Sequence, residues 1–400
     1  MEHSNKPVAV VFGAGSVGRG FMGQLFSESG YQVVFVDVDD LLVGALTEAG
    51  AYTLRLASLQ KTEDLRIGPV RAVNGRDTAS VAVEVAQAKI LATAVGARAL
   101  RAIAEPIATG LVRRWQAGIS EPQNIILCEN LHDAPKQLRQ FVSDELPADQ
   151  RERLGKRVGF VSSVIARMSP VPTPELRAAN PTLIVAEPYK VLPVDREAFV
   201  GDIPEIVGMW PVSPFIAYVE RKLYIHNAGH AMLGYLGYRR GHAYGYEALL
   251  DSRIYRLLDS ALTESSRALI AEHGLDAVAL SENVQYLLDR FANRALGDPI
   301  DRLARDPLRK LAPGDRLVGA ARLAQKAGIQ PKNLAWGLAA AIAYDNPDDP
   351  HAADLQARLA RKGLRQVLLE VCDIQPDEEL AELVSERYDL LLHEPEWQPR

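Results

Sequence analysis

The turn Gly13-Ala14-Gly15-Ser16-Val17-Gly18 constrains this chain more than any other six residues in it. It follows an apolar, β-branched run at residues 7–12 (PVAVVF), which reads as a strand buried on both faces. A helical stretch from about Ser16 to Gly30 comes next, and residues 32–38 (QVVFVDV) make a second strand of the same kind. In a G-x-G-x-x-G turn the first glycine permits the tight turn and the second lets the backbone approach a pyrophosphate. The third lets the helix lie close on its strand. The start of such a helix offers unpaired N–H groups and a partial positive charge to phosphates. Asp37 ends the second strand, where a carboxylate takes an adenosine ribose 2′-hydroxyl and repels a 2′-phosphate, which favours NAD over NADP. Glycines also serve ordinary turns. It is the order of strand, loop, helix, strand and acid that points to a dinucleotide.

The rest of the first half continues the alternation. A helix at 41–49 is closed by Gly50, and strands are predicted at 90–95, 124–128, 158–164 and 183–187. Residues 52–56 and 67–73 alternate more loosely, as a hairpin or edge strands inserted in the sheet would. Ala94-Val95-Gly96 fits a wall beside a nicotinamide and a plain turn equally well. After about residue 205 the spacing becomes helical. Ser213-Pro214 reads as a capping hydroxyl with proline at the first helical position, starting a helix to about 238, before Gly241. Further helical spacing covers 247–271, 275–292, 333–344, 351–361 and 378–392. The expected fold is a Rossmann-type, doubly wound α/β sheet domain over residues 1–205, followed by a mainly α-helical domain over 206–400. Four hundred residues suit such a division.

Bulk properties narrow the function. A formal net charge of -6 argues against a nucleic-acid partner, which needs a basic excess to neutralise phosphates. Cys128 and Cys372 are too few for a disulfide framework or a cysteine zinc site. Residues 1–6 are polar and lack the layout of a secretory signal, and no run reaches the ~18 apolar residues of a membrane span. A cytoplasmic, soluble protein is expected.

The chemistry concentrates in residues 220–230 (ERKLYIHNAGH). At ~100° per residue, Lys222, His226, Asn227 and His230 fall within roughly 140° of one helix face. An amine, an amide and two imidazoles on one face suit removal of hydride from a secondary alcohol. That reaction needs a base for the hydroxyl proton and donors for the developing oxyanion. A lysine with its pKa lowered by burial serves as base; Asn227 and His230 serve as donors. The bland alternative is a solvated polar stripe. A metal on His226 and His230, one turn apart, is disfavoured because Cys, Asp or Glu at ligand spacing is absent nearby. Gly229, Gly234 and Gly237 suit close approach of another backbone.

Lys222, Asn227 and His230 match the K-x4-N-x2-H signature of the polyol-specific long-chain dehydrogenases, and the chain resembles that family over nearly its whole length. VFGAGSVGRGFMG at 11–23, CEN at 128–130, DPLRKLAPGDRL at 306–317 and PKNLAWGLAAAIAY at 331–344 carry the resemblance as well. It implies metal-independent hydride transfer to NAD, with D-mannitol 1-phosphate and D-fructose 6-phosphate as the leading pair. By resemblance Lys222 is the general acid/base, Asn227 and His230 polarise the reacting oxygen, and Glu129 and Asn130 line the site near the nicotinamide. It also implies a monomer or weak homodimer.

The chain departs from that family at two places expected to lie beside the substrate. Ala166-Arg167 stands where many members have Asp-Arg, and Val191-Leu192 stands in place of an acid or amide followed by tryptophan. His226 adds a titratable group within the signature. Arg309, Lys310 and Arg316 flank a Pro-Gly turn and suit a phosphate clamp by charge-assisted hydrogen bonds, or a solvated basic loop. A clamp favours a sugar-alcohol or ketose phosphate; its absence favours a free hexitol or a sugar acid such as altronate. An NAD-sensing protein without turnover is the rival from another class, and it would need no base at Lys222.

Overall fold

The computed structural model describes residues 6–131, 133–170 and 173–397. Residues 1–5 of the polar N-terminal stretch lie outside the described residues. The chain forms two compact units, one up to Phe215 and one from Ile216 onward.

The first unit is built on strands β1 (Val8–Phe12), β2 (Gln32–Asp37), β3 (Tyr52–Ala57), β4 (Thr62–Ile67), β5 (Val70–Asn74) and β6 (Ile90–Thr93). They are followed by β7 (Gln123–Leu127), β8 (Val158–Ser162), β9 (Ile184–Ala186), β10 (Leu192–Asp195) and β11 (Met209–Val212). Six of them form one sheet in the order β5-β2-β1-β6-β7-β8, with every pairing parallel. Helices Asp40–Ala49, Thr78–Gln87, Ala104–Gln116 and Ala134–Glu145 fall between the strands. The reason is visible in β1 and β2. Ala9, Val11, Val33 and Phe35 belong to one buried cluster and Val10, Phe12, Val34 and Val36 to another, so alternate side chains feed the two faces. Each fully buried aliphatic or aromatic side chain of this kind contributes about 1.5–3 kcal/mol.

Two expectations need correction here. Residues 67–73 are not one strand: Ile67 ends β4 and Val70 begins β5, with a cis Gly68-Pro69 bond between them. β4 pairs antiparallel with β3 in a separate three-stranded sheet completed by β9, whereas β5 joins the main sheet beside β2. Ser213-Pro214 does not start a helix either. The bond is cis, Ser213 Oγ donates to Glu197 at 2.6 Å, and the helix begins at Ile216. The parallel pairing of β10 with β11 carries the first unit past the change in composition near residue 205.

The second unit is helical, and no helix among the described residues is long and apolar enough to cross a membrane. Gly234 lets helix Ala228–Arg239 approach a neighbouring backbone; a Cβ there would lie 2.8 Å from Ala304 N. At Gly229 and Gly237 the close neighbours are side chains, Phe291 and Ile300. The expected helix over 247–271 is two, Gly245–Leu250 and Ser252–His273. Asp251 breaks it with extended backbone (φ -71, ψ 111), and its carboxylate caps the second helix at Arg253 N, 3.0 Å away. That carboxylate also pairs with the buried Arg240 guanidinium at 3.1 Å. Removing it takes the carboxylate from a buried guanidinium, which costs about 3–5 kcal/mol. Asp251→Ala should therefore lower the melting temperature of this unit by roughly 10 °C in a calorimetric scan; a shift under about 2 °C would show that the pair holds nothing.

Candidate active site

Strand order reverses about β1, whose neighbours are β2 and β6, so the C-terminal ends of β1 and β6 open the crevice where doubly wound sheets bind ligands. The glycine turn fills that end. Gly13 has φ +92, and a Cβ on it would lie 2.5 Å from the Ala94 carbonyl oxygen; a Cβ on Gly18 would lie 1.9 Å from Gly13 O. Gly15 is exposed, with nothing within 4 Å of where its Cβ would be. The loop is thus closed at its two ends and open in the middle, the shape a pyrophosphate requires. The Asp37 carboxylate accepts from Ala14 N at 2.6 Å and from Val38 N and Asp39 N at 2.7 and 3.1 Å. Three backbone N–H groups thus hold it at the loop's shoulder.

Sequence reasoning missed two residues that set this end of the sheet. Arg19, buried, donates from Nε to Ala14 O at 2.5 Å and from Nη1 to Thr182 O at 2.6 Å, tying the loop to the segment before β9. Thr93 donates to Glu129 at 2.6 Å, and Val95 N donates to the same carboxylate at 3.2 Å. Glu129 therefore braces the turn carrying Ala94, Val95 and Gly96, and burial pushes its pKa upward despite those bonds. Asn130 is exposed beside it. Nothing in their spacing announced the Arg19–Thr182 tie or the Thr93–Glu129 bond, because each joins residues distant in the chain.

The second unit carries the signature residues on a helix of mixed pitch. Ile216–Arg221 is α-helical, Lys222–Asn227 is a π-helix, and Ala228–Arg239 is α-helical again. In a π-turn the backbone bonds reach one residue further, and such turns concentrate at functional sites. The uniform ~100° step used on the sequence does not hold across Lys222–Asn227. The signature residues span this turn and the start of the next.

Lys222 is half-buried, and its pKa is brought down to about 8. Desolvation is the larger cause and the Arg316 and Arg309 guanidinium groups add to it, while Asp315 opposes them. Asn227 is buried. His230 stacks on Phe291 with ring centroids 4.1 Å apart, and His226 stands edge-on to His230 at 4.7 Å. Burial holds both imidazoles well below their usual pKa, reinforced by neighbouring cations that include Arg290 and Arg316. Both are neutral at pH 7, so each ring carries one N–H donor.

The three basic residues of the Pro-Gly turn differ in placement. Arg309 is exposed and paired with Asp306 at 2.8 Å; Arg316 is buried and paired with Asp315 at 2.7 Å. Lys310 is buried, donates to the Leu303 carbonyl and lies 5.3 Å from the centre of the Tyr235 ring. Desolvation lowers its pKa to about 7. Its ammonium thus has a partner inside the fold, and Arg309 and Arg316 are the residues whose charge reaches Lys222. Among the described residues no group of three or more His, Cys, Asp or Glu forms a metal-binding cluster.

At the two departures, Arg167 is buried, donating to Glu187 O and to Gln24, both at 2.7 Å. Leu192 is buried in β10 and Val191 is exposed.

Residues 7–208 match the family model of the mannitol dehydrogenase Rossmann domain, and residues 215–392 match that of the mannitol dehydrogenase C-terminal domain. The chain belongs to the mannitol dehydrogenase family. Mannitol-1-phosphate 5-dehydrogenase of Bacillus licheniformis is 37% identical over 378 residues, 94% of this chain and 98% of that one. Its counterpart from Bacillus subtilis is 37% identical over 95% of this chain and 99% of its own length. Among solved structures, substrate-free D-sorbitol dehydrogenase superposes with a TM-score of 0.81 at 18% identity, covering 98% of this chain and 94% of that one. Pseudomonas fluorescens mannitol 2-dehydrogenase, in a ternary complex with NAD and D-mannitol, gives 0.73 at 19% identity, covering 98% and 92%. These two share the fold.

Loop geometry separates two variants. Gly15→Ala places its methyl group in open space, so the melting temperature should stay within about 2 °C of wild type while NADH affinity, read by fluorescence, falls by on the order of tenfold or more. Gly18→Ala should lose stability first. Unchanged NADH affinity in Gly15→Ala would remove the loop from the cofactor site.

Proposed function

We propose that this polyol dehydrogenase interconverts D-mannitol 1-phosphate and D-fructose 6-phosphate, with NAD held by Gly13, Gly15, Gly18 and Asp37. The turn Ala94-Val95-Gly96, with Asn130 and the bracing Glu129, would flank the nicotinamide. The observation that carries the reading is the half-buried Lys222 amine, titrating at about 8 within the field of Arg316 and Arg309. The names of the relatives at 37% identity point to the same substrate pair.

NAD, when bound, supplies the two-electron acceptor for the hydride leaving the alcohol carbon. The remaining work belongs to side chains. Neutral Lys222 takes the hydroxyl proton as the carbonyl forms. Asn227 Nδ2–H and one His230 N–H hold the oxygen while it carries negative charge. In the reverse direction the Lys222 ammonium returns the proton to the same oxygen. The guanidinium groups of Arg309 and Arg316 neutralise the substrate phosphate, with Lys310 adding positive charge from behind. A dianion there also favours the Lys222 ammonium, so its pKa rises when the phosphorylated substrate binds.

The pH dependence follows from the proton count. Alcohol oxidation needs the amine and should speed up as pH rises through about 8 in the free enzyme; ketone reduction needs the ammonium and should slow over the same range. Lys222→Ala should cost on the order of 10²–10⁴ in rate, leaving NADH affinity unchanged because the glycine loop belongs to the first unit. Near-normal turnover with an unaltered profile in that variant would refute the role of Lys222.

Substrate choice is read by following NADH absorbance with D-fructose 6-phosphate and with free D-fructose. Arg316→Ala and Arg309→Ala should raise KM for the phosphate ester by on the order of tenfold, since a charge-assisted hydrogen bond contributes about 1.5–3 kcal/mol. Both also remove positive charge from beside Lys222, so any change on free fructose should appear as a shifted pH profile, without the rise in KM seen for the phosphate ester. An equal loss on the two sugars would rule out a phosphate clamp and favour an unphosphorylated hexitol or a sugar acid.

A further inference from the structure

His226 lies inside the signature stretch, yet proton transfer by Lys222 and oxygen binding by Asn227 and His230 leave it without a task. Its geometry supplies one. The His230 ring is stacked on Phe291, 4.1 Å away and inclined by 26°. His226 is 4.7 Å from His230 at 85° and 5.8 Å from Phe291 at 87°. The triangle these distances make is nearly right-angled at His230. His226 therefore sits beside the rim of the His230 ring and not over its open face. Phe291 restrains tilting of the imidazole, and His226 restrains its swing within its own plane. Phe291 is itself fixed against the same helix, since a Cβ on Gly229 would lie 3.1 Å from its Cε2.

We propose that His226 is a positioning residue, which sets the in-plane direction of the His230 N–H and so where the reacting oxygen is held. The inference rests on the reading of His230 as an oxygen-binding donor. Direction matters because a misplacement of about 1 Å costs on the order of 10²-fold in rate. The lysine on the preceding turn needs the same oxygen in reach, so one ring error affects both contacts. A second charge could not do this work in its place. The groups facing His226 are His230, Arg290, Lys222 and Arg316, and with burial they keep it neutral. A neutral, flat ring fills the rim position without adding to that positive field.

The test is a double-mutant cycle on the full-length protein, with D-fructose 6-phosphate and NADH. His226→Ala should lower kcat by on the order of 30–100-fold, with KM and NADH affinity within about twofold of wild type. His226→Phe, which restores a flat ring at the rim, should recover most of that loss. In a His230→Ala background, His226→Ala should cost less than about twofold more, because the group it positions is gone. A merely structural contribution would cost the same in both backgrounds and would show equally in KM. Melting temperatures of all variants check that each is folded. The proposal is overturned if His226→Ala keeps kcat near wild type, or if its penalty is unchanged in the His230→Ala background. If His230→Ala alone keeps full turnover, it is the reading of the catalytic set that fails, and the two failures are told apart by that single variant.

Discussion

Positive charge held away from water is the condition on which the second unit's chemistry depends. Lys222, Lys310 and Arg316 lie half-buried or buried around one turn of helix, with Arg290 and Arg309 contributing to the same field. Taking a cation out of water costs several kcal/mol even after relaxation. Asp315 offsets part of that for Arg316, and the Leu303 carbonyl and Tyr235 ring do so for Lys310. What is left uncompensated appears as the lowered pKa values of the two lysines, about 8 and about 7. The same deficit makes an anion a favourable occupant. On the proposed reading, substrate binding and base activation draw on one source.

The backbone is adapted to that load. A π-turn over Lys222–Asn227 joins two α-helical segments, and the side chains of the signature leave it at angles a regular helix would not give. Gly229 and Gly234 then let Phe291 and the Leu303–Ala304 backbone come close, so the helix is gripped immediately after the turn. Rings pack where a longer side chain would leave slack. His226, His230 and Phe291 form a three-ring contact whose members come from two helices, Phe291 ending Ala277–Phe291.

The first unit solves a different problem, close approach of backbone. Its loop closes by backbone contact at Gly13 and Gly18, is open at Gly15, and is tied down by Arg19 and Asp37. These contacts are local to one sheet end, which is why the loop was legible from a dozen residues.

Residues 7–38 by themselves determined the strand, glycine turn, helix, strand and terminal acid. A continuous apolar run and the missing glycine side chains are properties of consecutive residues; tertiary structure added that the helix opens with a π-turn at Gly18–Met22. The switch to helical spacing after the sheet was legible for the same reason, as was the crowding of Lys222, Asn227 and His230 into one stretch. Tertiary structure alone decided where residues 67–73 divide between two sheets, since Ile67 and Val70 answer to different partners, β3 and β2. It decided that Lys310 turns inward while Arg309 and Arg316 keep their charge near Lys222, because burial of a long side chain depends on what covers it. It also decided the π-turn and the ring packing around His230, where the register comes from contacts with Phe291 that no spacing within residues 220–230 encodes.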